Sequence, residues 1–173
     1  AVMNQRKLVG DVVEEWRRRA YAQPTIVFAV NIEHSLAITK QFNDAGIPSE
    51  HVDGTTPNEI RDGVFSRSLV VSNVGVYTEG TDVPHVSCII IARPTMSVGL
   101  YIQMAGRGLR PSPGKTNCII LDHGGCALMH GLVGQDRVWT LTNYAGIRTA
   151  KGPAIDVRDT IKVCPKCMFV TDR

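Results

Sequence analysis

The chain has 173 residues, 43% of them hydrophobic, which suffices for one sizeable core or for a domain with a short appendage. A formal charge of +3 and a pI near 8.7 are compatible with a nucleic-acid partner but equally with small anions. No stretch is long and apolar enough to cross a membrane and no signal sequence is visible, so a cytoplasmic protein without a membrane partner is expected.

From Gln5 to Ala20 the apolar positions Leu8, Val12, Val13 and Trp16 recur at helical intervals, and the run Arg17-Arg18-Arg19 suits a solvated helix end. Pro24 ends that helix, and Thr25 to Val30 reads as a strand buried on both faces. Asn31 closes the strand, and Ile32 to Ala45 predicts a helix stopped by Gly46 with Pro48 beyond. Ser49 to Val52 is a short strand. Asp53-Gly54-Thr55-Thr56-Pro57 then has turn chemistry, with Thr55 or Thr56 as the expected cap of a following helix.

Ser68 to Asn73 is a third strand, followed by a loop rich in glycine and acid, Val74 to Pro84. Val86 to Ala92 is a fourth strand. Thr95 or Ser97 can cap the next helix, Pro111-Ser112-Pro113-Gly114 ends it, and Asn117 to Leu121 is a fifth strand closed by Asp122-His123-Gly124-Gly125. Five apolar strands separated by helices predict an α/β fold, an open and mostly parallel sheet with helices on both faces. Ligands of such sheets gather at the carboxyl ends of the strands, where Asn31, Asn73, Thr78 to Asp82, Arg93 and Asp122 fall. The pattern weakens after about Gly134, so a domain over 1–134 and an extension over 135–173 are expected, with one edge strand around Val138, Trp139 and Leu141.

The stretch Tyr101 to Arg110 places Gln103, Arg107 and Arg110 on one face at helical spacing. Gly106 and Gly108 flank the first arginine, as if something had to approach the backbone. Two guanidinium forks suit phosphate oxygens, and the Gln103 amide could hold a water or a phosphoryl oxygen; a solvated arginine face is the bland alternative. Gly108 to Thr116 looks like a phosphate-binding P-loop, but Leu109 stands where the motif needs glycine and the segment follows a helix. His51 and His123 invite a catalytic reading because histidine as a residue type changes charge near neutral pH, yet no serine or cysteine is placed to make a catalytic triad recognisable.

Three runs in order carry a resemblance: Thr25 to Asn31, Val71 to Pro84 with Glu79-Gly80-Thr81-Asp82-Val83-Pro84, and the Gln-x-x-Gly-Arg-x-x-Arg pattern from Gln103 to Arg110. They resemble motifs IV, V and VI of the second RecA-like domain of superfamily 2 helicases of the DEAD/DEAH type. Thr81 departs from the aromatic that many relatives carry. The resemblance implies a RecA-like fold lacking its own Walker A, with ATP and Mg2+ bound mainly by an absent N-terminal RecA-like domain. It also implies that Arg107 and Arg110 reach the terminal phosphates, Arg110 as the arginine finger, while Gln103 stands near the attacking water. Gly80 and Asp82, beside Glu79, would approach the nucleotide, Asp82 by accepting from ribose or by linking to motif VI. Asn31, Ser72 and Asn73 resemble contacts to a nucleic-acid backbone, expected to be DNA because the nearest resemblance is to repair, restriction and phage enzymes.

Cys164-Pro165-Lys166-Cys167 is half of a zinc-binding pattern, and Zn2+ would need two further ligands. The expected function is the C-terminal motor domain of an ATP-dependent DNA helicase or translocase, inactive as an isolated piece. A non-motor nucleic-acid-binding module of the same fold is the rival.

Overall fold

The computed structural model describes residues 6–78, 82–137, 161–163 and 170–172. The chain divides into two compact units, Ala1–Cys126 and Ala127–Arg173.

The first unit is built on β1 (Thr25–Phe28), β2 (Ser49–Val52), β3 (Val70–Asn73), β4 (Cys88–Ile91) and β5 (Ile119–Asp122). These form one sheet of spatial order β2-β3-β1-β4-β5, and every pairing is parallel. The expected α/β class and mostly parallel sheet are what the chain adopts. β1, β3 and β4 are shorter than their apolar runs, β2 has the predicted bounds and β5 ends one residue later, at Asp122, while single bonds from Ala29 N to Asn73 O and from Ala92 N to Phe28 O (both 3.0 Å) continue the pairing one residue further. Chain leaves β1 toward the β2 edge and leaves β4 toward the β5 edge. The two strands are neighbours, so the crest above them is where the connections part.

Side chains alternate across the sheet. Val27, Ala29, Val70, Cys88, Ile90 and Leu121 face a core shared with α1 (Arg6–Arg19) and α2 (Ile32–Asp44), through Val12, Trp16, Ile38 and Phe42. Trp16 is fully buried, donates from Nε1 to Thr25 Oγ1 at 2.7 Å, and meets Phe42 edge-on at 5.5 Å. Thr25 passes its own proton to Gln23 O at 2.6 Å, so the indole N–H is paired inside an apolar layer. The arginine run of α1 is engaged locally: Arg18 and Arg19 both pair with Glu15, and Arg17 donates to Ala45 O at 2.6 Å.

Asn31 caps α2 by accepting from His34 N at 2.8 Å, and Gly46 stops it at φ +76°. There Ile47 N bonds back to Phe42 O at 2.9 Å, a left-handed closure that favours glycine. The helix expected after Pro57 is two short ones, α3 (Asn58–Asp62) and α4 (Val64–Arg67). Neither threonine caps α3, whose Ncap is Pro57. Thr55 Oγ1 instead donates to Asp53 Oδ1 at 2.7 Å, and Thr56 Oγ1 accepts from Asp53 N at 3.1 Å. A nearly buried carboxylate requires donors more than an exposed helix start does.

On the other face lies α5 (Val98–Gly106), capped by Ser97, which accepts from Leu100 N at 3.2 Å. The second unit holds an antiparallel pair, β6 (Ile161–Val163) and β7 (Val170–Asp172), which the sequence reading does not anticipate. Between the units' boundary and Arg137 runs α6 (Cys126–His130) with a loop; Arg137 there donates to the carbonyls of His130, Leu132, Val133 and Gln135. The edge strand expected near Trp139 and the pair Cys164 and Cys167 lie outside the described residues.

Candidate functional site

Two segments meet at the crest of the sheet. One follows β3, and its path is set from below: Asn73 is fully buried, donates from Nδ2 to Val27 O at 2.9 Å and accepts at Oδ1 from Tyr77 N at 3.3 Å. Tyr77 is buried in turn, its ring tilted against Phe65 at 6.0 Å. The other segment follows α5.

The helix ends at Gly106, earlier than the spacing predicts. Arg107 is its C-cap, and the next bonds, Gly108 N to Ala105 O and Leu109 N to Gly106 O, are tight three-residue turns. Gln103, Arg107 and Arg110 therefore do not share one helix face. Gln103 is exposed on α5, Arg107 is 9% exposed at its end, and Arg110 lies beyond it. The glycines also act differently from the expectation. A Cβ on Gly108 would stand 2.3 Å from Cys118 Sγ and 2.6 Å from Ile89 Cγ1, so it is the sheet beneath that approaches the backbone, while Gly106 faces open space.

Both arginines nonetheless reach the segment after β3. Arg107 Nη2 donates to Thr78 O at 2.5 Å, and Arg110 Nη1 pairs with Asp82 Oδ1. These contacts straddle Glu79, Gly80 and Thr81, which lie outside the described residues. The Asp82 side chain is 76% exposed and that of Arg110 40%, so their ion pair is a surface one, worth about 0–1 kcal/mol. Arg107 is a buried strut; Arg110 is a cation at the surface that already holds an anionic oxygen. Asp82 thus takes the link to the arginine segment.

The residues expected to meet nucleic acid separate. Asn31 is exposed at the crest, with its side-chain oxygen engaged as the α2 cap. Ser72 and Asn73 are fully buried, the Ser72 hydroxyl lying 2.7 Å from Ser35 Oγ and Asn73 Nδ2 donating to Val27 O, so their side chains are engaged within the fold.

That serine pair belongs to a row that sequence reasoning misses. Ser35 Oγ is 2.7 Å from His51 Nδ1, and His51 Nε2 is 3.2 Å from Asp53 Oδ2. The order imitates a hydrolytic triad, but Ser35 is fully buried and shared with Ser72, so no substrate carbonyl can reach it. The row ties α2 to β2 and β3. Hydrogen bonds from the Thr55 hydroxyl and amide, then from His51, hold the Asp53 carboxyl well below the usual carboxylate range. Sixteen residues separate Ser35 from His51, and only the sheet order reveals the pairing.

Among the described residues no cluster of three or more His, Cys, Asp or Glu could hold a metal ion. His123 lies in the turn after β5, where Gly124 N bonds to Ile91 O at 2.8 Å.

Comparison with known proteins gives a concordant result. Residues 6–112 match the family described as "Helicase conserved C-terminal domain". The chain is 35% identical over 165 residues to a 51.5 kDa protein of Lactococcus phage (isolate 7-9), covering 92% of this chain and 36% of that one. It is 39% identical over 161 residues to "Putative ATP-dependent helicase IRC3" of Saccharomyces cerevisiae, covering 86% of this chain and 23% of that one. The chain therefore spans about a third and a quarter of these relatives' lengths. In fold it is similar to the C-terminal domain of the DEAD-box protein Dbp5, with a TM-score of 0.55, 19% identity, and coverage of 69% of this chain and 71% of that one.

Proposed function

Because this chain belongs to the helicase conserved C-terminal domain family, as the second RecA-like domain of a superfamily 2 helicase, we propose that it works as one half of an ATP-driven motor. ATP is the substrate, held chiefly by an N-terminal RecA-like domain of the same protein. The observation that carries this reading is the pairing of Arg110 with Asp82 on an exposed crest, beside the buried strut from Arg107 to Thr78.

The chemistry follows from magnitudes. A surface pair with a single carboxylate contributes little, whereas a terminal phosphate offers more charge and several acceptor oxygens to the same fork. When the lobes close, Arg110 exchanges Asp82 for phosphate and offsets the charge that develops on the transferring group. Arg107 stays behind on Thr78 and fixes the loop from which Arg110 projects. Gln103, exposed on α5, is the amide available to orient the attacking water. Mg2+ would add charge neutralisation at the phosphates. Zn2+ at Cys164 and Cys167 would need two further ligands, thiolate or imidazole. DNA is the proposed track, gripped largely by its backbone near Asn31, so binding is expected to depend on salt more than on sequence.

The test uses the parent protein with both lobes. Arg110→Lys is expected to lower kcat for DNA-stimulated ATP hydrolysis by about 10³-fold, with single-stranded DNA binding retained. Unchanged turnover in Arg110→Lys would overturn the arginine assignment. Nucleic-acid binding by the parent with no ATP turnover under any condition would favour a non-motor module, and stronger stimulation by matched RNA would replace DNA as the track.

A further inference from the structure

The P-loop imitation after Arg110 contains a lysine that phosphate chemistry does not use. Lys115 donates from Nζ to Arg110 O at 2.9 Å and to Pro84 O at 3.1 Å. It is brought back under the arginine by a tight turn in which Lys115 N bonds to Ser112 O at 3.1 Å and Gly114 takes φ +78°. The ammonium is partly buried, and that burial lowers its pKa from the ordinary lysine value.

Its position matters because α5 stops at Gly106. Four residues later the backbone of Arg110 is held by no helical ladder, and its guanidinium can be aimed only as well as its own Cα is fixed. An ammonium shared between two carbonyls fixes it, since bonds from a charged donor are the stronger class. One of those carbonyls belongs to Arg110 itself; the other is on Pro84, two residues past Asp82. The clasp therefore anchors Arg110 to the same segment that carries its carboxylate partner.

We propose that Lys115 is a positioning residue for Arg110, clasping the arginine's backbone to the Pro84 segment so that its guanidinium is presented to the interlobe cleft at a fixed reach. This rests on the reading of Arg110 as the arginine that meets ATP. Lys115 touches no substrate.

The test is Lys115→Met in the full parent protein, with Lys115→Arg as the conservative variant and Arg110→Lys as the reference. Lys115→Met is expected to lower kcat about tenfold while KM for ATP changes less than about twofold, because misplacing a catalytic group costs rate before binding. Lys115→Arg, which can still donate to two carbonyls, should recover most of that loss. In an Arg110→Lys background, Lys115→Met should cost little more, since its effect passes through the arginine. In the 173-residue chain, the Arg110 Nε–H NMR signal should broaden or shift in Lys115→Met while the amide signals of β1 and β4 stay in place. Parental kcat in Lys115→Met, alongside a crippled Arg110→Lys, would overturn the clasp and leave the arginine reading standing. A loss in Lys115→Met that multiplies fully with that of Arg110→Lys would also overturn it. An intact Arg110→Lys would remove the arginine reading itself.

Discussion

Gly108 shows how a residue can be read as constrained before its neighbour is known. The sequence marks two glycines around Arg107 as if something had to approach the backbone, and at Gly108 the approaching atoms are Cys118 Sγ and Ile89 Cγ1 from the sheet. Gly108→Ala is therefore expected to destabilise the chain by about 1–3 kcal/mol, the cost of overpacking, read as a lower urea midpoint. Gly106→Ala faces open space and should be neutral or slightly stabilising in the same measurement. Arg107 and Arg110 were legible as a pair from their spacing with Gln103, and both do reach the segment after β3. Their separate roles were not legible, since nothing in the local pattern says that the helix stops at Gly106. The side chains of Ser72 and Asn73 turn inward for a reason just as hidden from the local pattern. A polar residue at a strand end can turn inward when a neighbouring element offers a partner, as Ser35 and Val27 O do.

At the scale of elements, four of the five strands were visible as apolar runs, which a sheet covered on both faces demands, whereas β2, Ser49-Glu50-His51-Val52 at the sheet edge, has no such run. Their ends and the helix caps were harder. Thr55 and Thr56 have the right identity and position for a cap, but Asp53 takes their hydrogen bonds. The α1 helix was plain from its period, whereas its docking through one indole was not. Trp16→Ala should cost about 3–5 kcal/mol, because it empties a fully buried site against Phe42. Trp16→Phe should fall between the two, keeping most of the packing but leaving Thr25 Oγ1 without its donor. Denaturant titration of the three proteins checks the order.

At the scale of the whole molecule, acidification should lower stability in two windows of pH. Burial lowers the pKa of His34, whose Nδ1 accepts from Val30 N at 3.4 Å. The unfolded chain then binds this proton first, so stability present above about pH 6.5 is lost as pH falls below that value. Asp53 is also depressed, so its contribution is present above about pH 3.9 and is lost on further acidification. Denaturant midpoints measured from pH 7.5 to 3 should show both declines, with His34→Gln flattening the upper and Asp53→Asn the lower. A single decline that ignores both variants would contradict the assignment. The three cross-connections from Thr78, Asp82 and Pro84 to the segment after α5 carry a mechanical corollary. They act as rungs between two rails, so a displacement of Thr78, Asp82 or Pro84 is felt directly by the segment that carries Arg110.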